Sequence, residues 1–78
     1  MSVEAFVLIQ TDVGRAASVT STIRALAGVV EAHDVTGPYD VIAKASAETI
    51  DQLGRLVVNE MQTIEGVTRT VTCPVVNL

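Results

Sequence analysis

Residues 29–45 read VVEAHDVTGPYDVIAKA, two apolar-rich runs that meet across Thr36, Gly37 and Pro38. Short β-rich runs flanking a Gly-Pro pair predict a hairpin, with strands over Val29–Thr36 and Tyr39–Ala45. Gly37 accepts a backbone angle that other residues avoid, and Pro38 fixes the next one, so the pair reads as the turn. Asp40 stands at its exit, where a carboxylate can satisfy nearby amides.

The hairpin also joins two similar halves. At a constant offset of 38 positions Val3 matches Val41, Ala5 matches Ala43, Val19 matches Val57 and Ile23 matches Met61. Leu26, Gly28 and Val29 likewise match Ile64, Gly66 and Val67, so that LAGV at 26–29 is echoed by IEGV at 64–67. Each half supplies a strand, a helix and a strand. The first strand is Met1–Gln10, with Val3, Ala5, Val7 and Ile9 on one face and Phe6 and Leu8 on the other. A helix is expected from about Arg15 to Ala27, because Ala16, Val19, Ile23 and Leu26 form one apolar stripe, with Gly28 as its stop.

In the second half Ser46 is the expected N-cap, with Glu48 and Asp51 in the first turn, where the helix dipole favours acids. Ile50, Leu53, Val57, Met61 and Ile64 form the second stripe. Gly54 lies inside it, and a close helix–sheet contact would explain a residue that costs about 1 kcal/mol against Ala there. Val67–Val76 is the last strand, with Val67, Val71, Cys73 and Val75 on one face and Thr68, Thr70 and Thr72 on the other. Pro74 cannot donate to a ladder and marks an edge or an end.

A duplicated β-α-β unit with right-handed crossovers predicts an α+β, ferredoxin-like β-α-β-β-α-β fold over one domain, residues 1–78. The expected sheet is four-stranded and antiparallel, in order 4-1-3-2, with both helices on one face. Its other face is bare yet still apolar, which does not suit a solvated antiparallel sheet. A second copy packed face to face would cover it and give a dimeric α+β barrel.

Composition agrees with that need. The chain has 78 residues, is 49% hydrophobic and has a positive mean hydropathy of +0.46. A domain this small gains little surplus stability from one core, and Cys73, the only cysteine, rules out an internal disulfide. The net charge is −4 and the five Lys and Arg residues are scattered, which argues against direct nucleic-acid binding. No apolar run approaches the ~18 residues of a membrane span and no signal peptide is visible. A lone cysteine fits a cytoplasmic location.

Catalytic chemistry finds little to work with. A Cys73–His33 dyad would need two different strands to converge, and a metal site built from His33, Asp34 and Asp40 would be strained. Asp34 and Asp40 are the one carboxylate pair, on facing strands with no cleft to separate their pKa values. TDVGR at 11–15 has one glycine, too few for a phosphate loop. No cofactor is expected.

Two features admit a binding role beside a structural one. Thr68, Thr70 and Thr72 are either ordinary strand formers on a half-wet face or a row of hydroxyls along a pocket. TGPYD is either a turn or a ligand loop. Gly37 lets a ligand approach the backbone, Asp40 can accept from an ammonium group, and amides or threonine hydroxyls can take a carboxylate.

VTGPYD at 35–40, VIAK at 41–44 and IEGVTRTVT at 64–72 closely resemble the effector-binding (RAM) domain of the Lrp/AsnC, or feast/famine, transcription regulators. The resemblance covers essentially the whole chain. It implies a sheet-to-sheet homodimer that assembles into an octamer or similar ring, with a free amino acid or similar small effector bound between dimers. It implies effector contacts from Val35, Thr36, Gly37, Pro38, Tyr39 and Asp40, and from Thr70 and Thr72 on the last strand. Such regulators carry an N-terminal helix-turn-helix, whereas this sequence begins at the first effector-domain strand. The expectation is therefore a stand-alone amino-acid sensor acting indirectly in transcription. The alternatives are a hetero-oligomerisation partner of a full-length regulator with no ligand of its own, and a small dimeric α+β barrel enzyme.

Overall fold

Alternation in the first strand puts Ala5, Val7 and Ile9 on one side, and in the computed structural model, which describes residues 2–77, all three are fully buried. They belong to β1 (Val3–Thr11). The chain continues through α1 (Ala16–Arg24), β2 (Val29–Asp34), β3 (Val41–Ala47) and α2 (Ile50–Arg55). α2 runs directly into a π-helical segment, Leu56–Met61, and β4 (Val67–Pro74) follows.

The four strands form one antiparallel sheet in the order β2-β3-β1-β4, the expected 4-1-3-2 counted from the other edge. Ala5, Val7 and Ile9 stand opposite Ala45, Ala43 and Val41. Small residues at the sheet centre let both helices settle closely on that face. Val19 and Ile23 from α1, Leu53 from α2, and Leu56, Val57 and Met61 from the π-helical segment complete the core. Ile9, Ile23, Leu53 and Met61 are its largest fully buried side chains, each contributing about 1.5–3 kcal/mol relative to exposure.

The internal repeat survives in three dimensions. Val19 and Val57 are both core residues, as are Ile23 and Met61, and Gly28 and Gly66 both adopt a positive φ, +94° and +100°.

Several boundaries differ from expectation. α1 ends at Arg24 rather than Ala27, because Ala25 and Leu26 tighten into i→i+3 bonds to Thr22 and Ile23. Ser46 is not a cap. β3 extends to Ala47 with Ser46 opposite Glu4, and Thr49 caps α2 by accepting from the Gln52 amide. Asp51 lies in the first turn as expected, while Glu48 precedes the helix. Gly54 makes no close contact, since a Cβ there would meet nothing within 4 Å. The π turn, in which the Gln62 amide donates to the Val57 carbonyl at 2.9 Å, leaves Val58, Asn59 and Glu60 exposed while Val57 and Met61 both reach the core.

β4 also changes phase. A bulge falls where Gln10 pairs with Arg69 but Thr11 pairs with Val67, so Thr68 is the extra residue. Val67 packs against the helix-side core, whereas Val71 and Cys73 stand opposite Leu8 and Phe6 on the other face. The expected single face of Val67, Val71 and Cys73 is thus broken by the bulge.

Among the described residues the second sheet face carries no helix. Phe6, 40% exposed, Leu8, Ile42 and Val71 lie at its centre. Lys44 sits 6.0 Å from the Phe6 ring centroid and 3.7 Å from Glu4, and His33 lies 3.4 Å from Glu31.

Candidate functional site

β1 ends, β2 ends, β3 begins and β4 begins at the same end of the sheet. The register there runs in one row: Asp34 opposite Val41, Val41 opposite Ile9, Ile9 opposite Thr70. This row brings the two parts of the expected binding site to a common edge.

The β2–β3 connection is longer than the two-residue link expected, because β2 stops at Asp34 and β3 starts at Val41. Its base is closed by the Val35 amide donating to the Asp40 carbonyl at 2.9 Å. The Asp40 amide donates to the Ile9 carbonyl at 2.9 Å, and Asp40 Oδ2 accepts from the Thr11 amide at 2.8 Å and from Thr11 Oγ1 at 3.3 Å. Asp40 is therefore a clasp between the loop and the end of β1, with Oδ1 left over. Thr36, Gly37 and Pro38 form an exposed tip, with Val35 and Tyr39 half-buried beside it. Gly37 has φ +132°, a conformation closed to other residues, and nothing stands within 4 Å of a would-be Cβ. The tip is thus open for close approach.

Thr70 and Thr72 stand opposite Ile9 and Val7, on the helix-bearing side of edge strand β4. At the usual spacing of about 4.8 Å between strands, Thr70 is roughly 10 Å from the β3 end of the loop, and Thr72 lies further along the strand. Within one chain the loop tip and these hydroxyls share an edge without converging on one small molecule. Thr68 does not extend the row, because its hydroxyl donates to the Gln10 carbonyl at 3.1 Å.

A cleft of about 420 Å³ lies at this end, lined by Gln62, Val67, Thr68, Arg69 and Thr70. Gln62 Nε2 donates to Thr70 Oγ1 at 2.9 Å. Gln62, Arg69 and Thr11 were not apparent from sequence as site residues. Gln62 lies between Met61 and Ile64 of the second helical stripe, off its apolar face, and only the end of the π turn aims it at β4. A larger concavity of about 520 Å³ covers the outer side of α2, between Ile50, Gly54 and Val58, away from the loop and β4. It takes no part in the expected site.

The catalytic alternatives lose their geometry. His33 and Cys73 lie on opposite edge strands, three inter-strand spacings or roughly 14 Å apart, so they form no dyad. Asp34 and Asp40 do not act as a pair, because Asp34 Oδ1 accepts from the buried Thr20 hydroxyl at 2.5 Å while Asp40 turns to Thr11. Among the described residues no cluster of three His, Cys, Asp or Glu side chains is placed to hold a metal, and no helix is long and apolar enough to cross a membrane.

Residues 4–77 match the family model of the Lrp/AsnC ligand binding domain. An uncharacterized HTH-type transcriptional regulator of Pyrococcus horikoshii is 35% identical over 71 residues, covering 87% of this chain and 47% of the regulator. The chain thus spans about half the length of the regulators it matches. Among solved structures, TTHA0845 from Thermus thermophilus superposes with a TM-score of 0.92 at 33% identity, covering 97% of this chain and 95% of that one. E. coli AsnC superposes with a TM-score of 0.90 at 28% identity, over 97% of this chain and 52% of AsnC.

Proposed function

Because the chain belongs to the Lrp/AsnC ligand-binding domain family, we propose that it binds a free amino acid between copies of itself and that this binding serves transcriptional regulation in the cytoplasm. The observation that carries the reading is the shared edge of the sheet. The open Gly37 tip, Asp40 Oδ1, Thr70 and Thr72 all stand there, but the loop and β4 lie roughly 10 Å apart. That gap separates the Gly37 tip from the β4 hydroxyls, while the Asp40 carboxylate, clasped to Thr11 on β1, stands one strand from β4. A neighbouring copy that brings its loop to this β4 closes the gap, which is why an oligomer suits the ligand.

The bare sheet face supplies the first contact of that oligomer. Leu8, Ile42 and Val71 at its centre, with Phe6 beside them, form an apolar patch that a second sheet would bury. The same patch suits a full-length regulator of the family, which is the second reading: a partner subunit that needs no ligand.

Two measurements decide between them. A calorimetric screen of the twenty amino acids should find saturable binding by at least one. Thr72→Val, which exchanges an exposed hydroxyl for a methyl group, should weaken it by about 2–10-fold. Binding by none of the twenty removes the amino-acid reading and leaves the partner reading. Light scattering should give a dimer or larger, and Leu8→Lys should give a monomer. A wild-type species of 8.2 kDa at low micromolar concentration would overturn the role of the sheet face.

A further inference from the structure

Nothing inside the chain requires Gly54. Glycine in a helix interior is about 1 kcal/mol less favourable than alanine, yet a Cβ here would meet nothing within 4 Å. Gly54 lies instead in the concavity of about 520 Å³ on the outer side of α2 and the π-helical segment. Ile50 and Val58 flank it, four residues away in either direction, and are 54% and 55% exposed. Two apolar side chains with a notch between them form a surface that another helix fits ridge into groove.

The charges beside the notch say whose helix that is. Asp51 and Arg55 line the same concavity one turn apart, one anion and one cation. Among the described residues neither joins an ion pair, with the other or with a third group. A face that carries both signs in this order is its own complement when a second copy is turned end for end.

We propose that this face docks on the same face of a second copy, the two helical stretches running antiparallel and crossing at Gly54. At a rise of about 1.5 Å per residue, a two-fold axis at Gly54 sets Ile50 of one copy level with Val58 of the other. It also leaves Arg55 about 3 Å along the helix axis from Asp51 of the second copy, within reach of a flexible side chain. Symmetry makes each pairing twice. The missing side chain at Gly54 lets the helix axes approach to the short end of the usual range of about 8–10 Å. The helices and the bare sheet face lie on opposite sides of the sheet, so one subunit can make this contact and the sheet-to-sheet contact together, and neither depends on a ligand.

The contact is small. Six residues on each side fall well short of the roughly 20–30 of a stable complex, which puts its dissociation constant on the order of 0.1–1 mM. The face is therefore free in a dilute unfolding experiment, where Gly54→Ala adds stability. It is covered at high concentration, or where other contacts already hold copies together.

The test is light scattering of Leu8→Lys, in which the sheet face is spoilt and the helical contact stands alone. From about 10 μM to 2 mM the mass should rise from 8.2 kDa towards twice that value. In this background Asp51→Lys or Arg55→Glu should each weaken association about 5-fold or more at low salt, because like charges then face each other. The two together should restore it to within about 3-fold. Gly54→Ala should weaken association about 3-fold or more while stabilising the chain. All three positions are exposed, so the variants should fold, with unchanged circular dichroism as the check. A mass that stays at 8.2 kDa up to about 2 mM overturns the contact. So do single reversals that leave association unchanged, and a double variant that associates no better than the single ones.

Discussion

Removing the Asp40 carboxylate tests whether this residue belongs to the ligand, to the fold, or to both. Its Oδ2 takes the Thr11 amide at 2.8 Å and, more weakly, the Thr11 hydroxyl at 3.3 Å. A hydrogen bond to a charged group is worth about 1.5–3 kcal/mol, and the lower end applies here because Asp40 and Thr11 are only half-buried and water can replace part of the loss. The long hydroxyl contact adds little. Asp40→Ala should therefore destabilise the protein by about 1.5 kcal/mol, and Asp40→Asn, which keeps a neutral acceptor, by roughly half as much. For a domain of this length that is about 6–12 °C in Tm for the alanine variant. The assay is urea unfolding followed by circular dichroism, at one fixed subunit concentration because oligomer stability depends on it. Ligand affinity is measured in parallel, well below the melting temperature. Asp40→Ala within about 0.5 kcal/mol of wild type would refute the clasp. A destabilised variant with unchanged affinity would instead show that Oδ1 plays no part in binding.

Gly54, inside the second helical stretch, and Gly66, beyond its end, respond in opposite ways. Gly54→Ala should raise stability by about 0.5–1 kcal/mol in the same urea assay, since its φ is ordinary for a helix and a methyl there meets nothing within 4 Å. A loss would mean that the outer face of α2 is covered in solution. Gly66→Ala should lower stability by about 2 kcal/mol or more, because φ is +100° and the new Cβ would stand 3.0 Å from Arg15 Cβ. A neutral result would show that the β1–α1 turn yields easily.

Much of the architecture was legible because it was written twice. The 38-residue offset carried the strand–helix–strand unit, and the handedness of crossovers then left one strand order. The irregular features were hidden for a common reason: each depends on contacts between segments remote in sequence. Nothing local in Ser46 distinguishes a cap from a strand residue, and its pairing with Glu4 decides it. The bulge at Thr68 is set by where Thr11 meets Val67, so period-two counting along β4 alone gave the wrong face to Val67. The family motif marked TGPYD as a loop worth watching, and the structure gives its Asp40 a structural partner that the motif did not suggest. Gln62 was invisible because its position over β4 follows from one extra residue in a helical turn.

The six-residue connection between β2 and β3 is held at its base by the Val35–Asp40 bond and by the Asp40–Thr11 clasp, while the tip Thr36–Gly37–Pro38 stays exposed. Stilling a backbone residue costs about 1–2 kcal/mol. A molecule that settles on this connection meets three residues already stilled by folding and has only the tip left to quieten, which spares on the order of 3–6 kcal/mol of ordering. The clasp thus shifts an entropic penalty from binding to folding, so a ligand settling on this loop would need fewer contacts of its own.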